Sequence, residues 1–242
     1  MKDLIIDIGN TRVKVAVFED SKIVETFTCA YDELRGEIEK KMNREEFQGR
    51  LFSSVGDRDE KLSNFLVSEF GFVPLTREMK MPFKNSYASP DTLGLDRYAL
   101  VSAAVKMYEN QDVLVIDAGT CVTYDFVKRN GEYLGGAISP GLMMRYKAMN
   151  EFTAKLPMLE SEMPQKYIGS TTKECMQIGA EFGLIFEIDA MISQYKLEYP
   201  NLIVLLTGGD TFHLASQLKN SIFAIPNLIL EGLESIMTNN TL

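Results

Sequence analysis

Two short stretches of this 242-residue chain join a carboxylate to a glycine turn at the end of an apolar run. In Asp7-Ile8-Gly9-Asn10-Thr11-Arg12-Val13-Lys14, the glycine lets the backbone turn tightly and aim amide groups at an anion. The Thr11 hydroxyl and the Lys14 ammonium add donors, and Asp7 at the strand end is placed to hold a divalent cation through water. Phosphate is the natural guest of such a set. A β-turn capped by Asn10 would use the same residues without a ligand. A second stretch, Asp117-Ala118-Gly119-Thr120, repeats the pattern and weakens that plainer reading. A third group, Gly94-Leu95-Asp96-Arg97, sets a proton acceptor beside a planar fork of donors suited to a carboxylate. On the residues alone it fits equally well a capping carboxylate and a surface arginine at a helix start.

The elements that must position these groups follow from hydrophobic periodicity. Strands are expected at 4–7, 12–18 and 23–29, with turns at Gly9-Asn10 and at 19–21. A helix over 31–41, a strand at 50–54, a helix over 61–70, a strand at 72–75 and a helix over 95–108 complete the first half. At 113–117 the pattern restarts with Val-Leu-Val-Ile-Asp, a continuous apolar run suited to a strand buried on both faces. Strands at 122–127 and 133–138, helices over 142–154 and 171–197, and a strand at 202–206 ending in Thr207-Gly208-Gly209-Asp210 follow, with a last helix over 228–237. The second half opens like the first, a weak internal repeat. It predicts an α/β chain of two related domains, 1–110 and 111–242, each a mixed sheet flanked by helices.

Composition narrows the chemistry. A net charge of -9 argues against nucleic acid as a partner, since its binders need a basic face, so any anion must be held locally. No apolar span or cleavage site follows Met1, so the chain reads as soluble and cytoplasmic, with no membrane partner. Cys29, Cys121 and Cys175 are odd in number and widely spaced, which gives no disulfide framework or zinc pattern. His213 is the single histidine and is expected on a helix surface. Chemistry must then rest on carboxylates, hydroxyls and backbone amides.

In order and spacing, Asp7 to Lys14, Tyr87 with Gly94 to Arg97, Asp117 to Thr120, and Gly135-Gly136-Ala137-Ile138-Ser139-Pro140-Gly141 resemble the type III pantothenate kinases. The resemblance spans nearly the whole chain. It implies two ribonuclease H-like domains of the actin-like ATPase kind, with the active site in the cleft between them. It further implies ATP-dependent phosphorylation of pantothenate with Mg²⁺ and a monovalent cation, K⁺ or NH₄⁺, by a homodimer. By the same resemblance Asp96 is the general base, and Asp7, Ile8, Gly9, Asn10, Thr11, Arg12, Val13, Lys14 and Thr120 bind ATP. Tyr87, Gly94, Leu95, Asp96, Arg97 and Thr172 bind pantothenate, and Asp117 holds the monovalent cation. Thr172 also lies at the start of a long helix, where its hydroxyl equally fits an N-cap. Related folds include a toxin-silencing accessory protein and a transcription-coupled factor, so an ATP-sensing module without catalysis is the competing reading. The joint presence of Asp96, Arg97, Asp117 and Thr120 argues against it. A sugar or polyphosphate substrate fits the Tyr87 and Gly94 to Arg97 segment less well.

Overall fold

The computed structural model describes residues 2–9, 12–41, 47–54 and 60–240. Its first elements are β1 (Lys2–Ile8), β2 (Val13–Glu19), β3 (Lys22–Cys29), α1 (Leu34–Lys41), β4 (Phe47–Ser54), α2 (Glu60–Phe70), β5 (Val73–Pro74), β6 (Lys84–Asn85) and α3 (Leu95–Met107). Then come β7 (Val113–Ala118), β8 (Cys121–Val127), β9 (Glu132–Pro140), α4 (Leu142–Glu151), α5 (Thr172–Glu198), β10 (Ile203–Thr207), α6 (Thr211–Ala215), β11 (Phe223–Ala224) and α7 (Leu228–Asn239). The chain forms two compact units. Unit one takes in the chain to Glu109, Gly131–Tyr133 and the stretch from Asn227; unit two takes in Asn110–Asn130 and Leu134–Pro226.

In unit one the strands run β3-β2-β1-β4-β5, with β1 antiparallel to β2 and parallel to β4. Side chains alternate across a strand. Leu4, Ile6 and Ile8 pack with Leu34 and Ile38 of α1 and with Leu62, Phe65 and Leu66 of α2. Asp3, Ile5 and Asp7 therefore point to the opposite face. That face receives α7: a Cβ on Gly49, paired with Asp3 in the β1/β4 register, would strike the Met237 thioether. α7 in turn packs along α3. Lys106 of α3 is hydrogen-bonded to Glu234 of α7, a carboxylate with no solvent exposure. A halving at residue 110 predicted this last helix in the second domain; the structure puts it in unit one because its apolar face closes the core under α3.

The strands of unit two run β11-β10-β7-β8-β9, and the first residues of β9, which belong with unit one, pair with β6. β7 lies parallel to β10 and antiparallel to β8. Val113 to Ile116 are all buried, as the unbroken apolar run requires. Ile116, Tyr124 and Leu206 from the sheet share one core with Tyr146 of α4, Leu184 and Ile188 of α5, and Leu214 of α6. Among the described residues no helix is long and apolar enough to cross a membrane. The short elements β6 and β11 have no counterpart among the expected elements, since two residues carry no measurable periodicity, and α6 is expected only as the helix bearing His213.

Where α3 and α7 meet, a Cβ at Gly232 would penetrate the carbonyl of Ala99. Backbone in a packed helix cannot yield as a flexible side chain does. Gly232→Ala is expected to destabilise the protein by about 1–3 kcal/mol, lowering Tm by roughly 2–4 °C per kcal/mol, as thermal unfolding followed by circular dichroism would show.

Candidate active site

In unit one, the first Asp-x-Gly turn is a hairpin closed by the Gly9 amide, which donates to the Arg12 carbonyl at 3.1 Å. The register sets Asp7 opposite Lys14 and Ile8 opposite Val13. Ile8 and Val13 are core residues, so they can offer a ligand only backbone. Lys14 is half-buried and Arg12 exposed. Asp7 is 6% exposed, and its Oδ1 accepts a hydrogen bond from the Ser53 hydroxyl at 3.3 Å. Ser53 sits opposite Asp7 in the parallel β1/β4 register, so only strand pairing reveals it. Asn10 and Thr11, also expected to bind ATP, lie outside the described residues.

The second group of unit one is built on the start of α3. Gly94 is its N-cap residue and supplies no side-chain cap. Asp96 folds back instead, and its Oδ1 accepts the Arg97 amide at 2.8 Å. This bond fixes the carboxylate at the helix N-terminus, where the macrodipole favours negative charge. Arg97 is buried, its guanidinium carbon 5.8 Å from the centre of the Tyr87 ring. Asn85 holds that loop in place: its Oδ1 accepts the Tyr87 amide at 2.9 Å, and its Nδ2 donates to the Tyr98 hydroxyl of α3 at 3.0 Å. Tyr133 and Phe83 pack against the same aromatic group. Tyr87, Leu95, Asp96 and Arg97 thus share one neighbourhood, positioned by an Asn85 that no motif had singled out.

In unit two, the Asp117–Thr120 turn is a hairpin of the same kind, with the Gly119 amide donating to the Cys121 carbonyl at 3.0 Å. Backbone packs directly on it from two sides. A Cβ on Gly141 would collide with the carbonyls of Gly119 and Thr120, and one on Gly208 with the Asp117 carboxylate and the Ala118 carbonyl. Gly208 also has φ of 100°, a region that favours glycine. Asp117 is half-buried and Thr120 exposed. Asp117 Oδ1 and the Ala118 carbonyl lie beside the same Gly208, so the turn offers oxygen donors, the ligand type that hard cations take. Among the described residues no three His, Cys, Asp or Glu side chains gather as a metal cluster. Asp7 offers one carboxylate, and Mg²⁺ bound through one or two carboxylates commonly takes its other ligands from phosphate and water.

Thr172 is the first residue of α5, but the N-cap is Thr171, whose hydroxyl accepts the Glu174 amide at 3.2 Å. Glu174 reciprocates by accepting the Ser170 amide and hydroxyl, and these bonds with Lys166 pull its carboxyl from 4.5 to about 2. The capping alternative for Thr172 is thereby filled by its neighbour, and Thr172 stands exposed. His213, expected on a helix surface, instead sets Nε2 2.7 Å from a carboxylate oxygen of the fully buried Glu181.

Two α/β units, each carrying an Asp-x-Gly hairpin on a mixed sheet, define an actin-like ATPase fold. Solved structures share it: a Baf family transcriptional activator from Campylobacter jejuni at a TM-score of 0.64 and 23% identity, covering 98% of both chains. A ROK family glucokinase from Streptomyces griseus, in complex with glucose and AMPPNP, gives 0.53 at 13% identity, covering 100% of this chain and 99% of its own. Both likenesses are of fold alone. In sequence, the family described as type III pantothenate kinase matches residues 3–194. The type III pantothenate kinase of Flavobacterium johnsoniae is 43% identical over 95% of each chain, and that of Bacteroides fragilis YCH46 39% identical over 98% of each. The chain belongs to the type III pantothenate kinase family, and it is an enzyme of the kinase class.

An ideal Cβ at Gly94 would overlap Oδ1 of Asp96. Gly94→Ala must turn that carboxylate away from the Arg97 amide; with Asp96 as the base expected from the sequence, kinase turnover is expected to fall by about 10- to 100-fold. Steady-state kinetics on the purified variant, with its Tm as control, measures this.

Proposed function

We propose that this enzyme transfers the terminal phosphoryl group of ATP to the primary hydroxyl of pantothenate, giving 4′-phosphopantothenate at the first step toward coenzyme A. Family membership supports the reaction class. The observation that carries the site is the Asp96 carboxylate, held by the Arg97 amide at the start of α3 beside the Arg97/Tyr87 stack.

Phosphoryl transfer needs positioning and charge neutralisation more than covalent help from the protein. With Oδ1 engaged by the amide, Oδ2 of Asp96 takes the proton from the attacking hydroxyl. The buried Arg97 guanidinium pairs with the pantothenate carboxylate, a charge-assisted contact strengthened by its removal from water. Tyr87 and the Gly94-Leu95 backbone border the same substrate. In unit one the Gly9 turn with Asn10, Thr11 and Lys14 would bind ATP phosphate and Asp7 would hold its Mg²⁺; in unit two Thr120 would bind ATP. Asp117 would hold K⁺ or NH₄⁺, whose charge would offset that of the phosphates. Both substrates are soluble metabolites, consistent with a cytoplasmic enzyme.

A coupled ADP-release assay with pantothenate is expected to show turnover with potassium or ammonium and little with sodium alone; no turnover with any cation would sink the reading. In the same assay, Asp96→Asn is expected to lower kcat by about 10²- to 10⁴-fold with a far smaller change in KM. Asp117→Ala should flatten the potassium titration.

The enzyme is further proposed to be a homodimer in which Thr172 serves a pantothenate site. The ring of Tyr167 and those of Phe182 and Phe186 on α5 lie with centroids 4.7–6.2 Å apart, with Tyr167 70% and Ile168 83% exposed. The exposed Tyr167, Ile168 and Phe186, with half-buried Phe182 beside them, form an apolar patch that suits a second copy of this chain. Sedimentation should give a dimer for the wild type and monomer for Phe186→Asp; a wild-type monomer at micromolar concentration would overturn it.

A further inference from the structure

Glu181 of α5 has no solvent exposure. A carboxylate so placed needs partners, and three surround it. The Tyr146 hydroxyl donates to Oε1 at 3.0 Å, the Ser161 hydroxyl to the same oxygen at 2.8 Å, and His213 Nε2 lies 2.7 Å from Oε2. Burial, with the Glu181 charge, pushes the Tyr146 hydroxyl well above its ordinary range, which keeps it a donor. The partners come from three separate segments: α4, the connection before α5, and α6.

Two of those segments begin on the Asp117–Thr120 turn. α4 is led by Gly141, whose amide donates to the Thr120 carbonyl at 3.2 Å and whose missing Cβ lets it lie on Gly119 and Thr120. α6 is led by the 207–210 turn. There Thr207 pairs with Asp117 in the β10/β7 register, Gly208 lies against the Asp117 carboxylate, and the Asp210 amide donates to the Ala118 carbonyl at 3.0 Å. The segments that grip the turn from either side are thus both tied, through Tyr146 and His213, to a single carboxylate.

We infer that Glu181 is a positioning residue: through Tyr146 and His213 it sets the Asp117–Thr120 turn, and so the affinity of that turn for ATP phosphate and its monovalent cation. The inference rests on the reading of Asp117 and Thr120 given above. Core polar groups that merely satisfy one another would affect stability without choosing between the two substrates. A positioning role predicts that Tyr146→Phe and His213→Gln each raise KM for ATP about tenfold while KM for pantothenate stays within about twofold. Combined with Glu181→Gln, their effects should fall well short of additive.

Amide hydrogen exchange on the ligand-free protein supplies a readout independent of activity. Faster exchange is expected at Gly141 in Tyr146→Phe and at Asp210 in His213→Gln. Unchanged exchange at both amides, or equal rises in the two KM values, would overturn the inference, and these two variants decide it even if Glu181→Gln does not fold. Thr120→Ala separates the layers. An unchanged ATP KM in that variant would remove the nucleotide reading of the turn, and with it the consequence for ATP. Unchanged exchange in the other variants would remove the positioning while leaving that reading intact.

Discussion

Backbone laid directly on backbone is the constraint on which this molecule depends. In unit two, Gly141 and Gly208 let two chain segments rest on the Asp117–Thr120 turn at distances that any Cβ would forbid. In unit one, Gly232 brings α7 onto α3, and Gly94 leaves room for the Asp96 carboxylate to fold back. Protein interiors are packed as densely as organic crystals, so such approaches cannot be relaxed without moving the elements themselves. The motif residues are consequently held largely by main chain, with side-chain hydrogen bonds such as those of Ser53 to Asp7 and of Asn85 to Tyr87 and Tyr98 added to it.

Charge handling follows from the same economy. Asp7 is buried but met by Ser53; Glu234 is met by Lys106; Glu181 is met by two hydroxyls and an imidazole. Each pairing joins residues distant in sequence. Breaking one side would leave a buried charge without compensation, which is costlier than the pair is stabilising. The net charge of -9 therefore coexists with interior carboxylates that are each hydrogen-bonded, one of them to a lysine.

Much of the fold was legible in the sequence because its signals are local. The Asp-x-Gly turns at 7 and 117, the apolar run at 113–116 and the long helix from 172 each follow from turn chemistry and periodicity within a dozen residues. What escaped depends on pairing across the chain. Ser53 reaches Asp7 only through a parallel register, Asn85 reaches both Tyr87 and Tyr98, and His213 looks like a surface residue until α5 is laid beside α6. Thr171 rather than Thr172 caps α5, a difference of one position that hydroxyl chemistry alone does not resolve.

The return of α7 to unit one has a temporal side. Unit one begins at the first strand, yet the helix that covers the β1 and β4 face and braces α3 is made only after all of unit two. During vectorial synthesis the ribosome must therefore release about 130 further residues after α3 before the core beneath Asp96 can close. Unit two, continuous apart from three residues, can mature on the emerging chain, whereas α3 waits in a half-built shell. Competence arises late and all at once, and a stalled or shortened nascent chain would carry the motif without the activity.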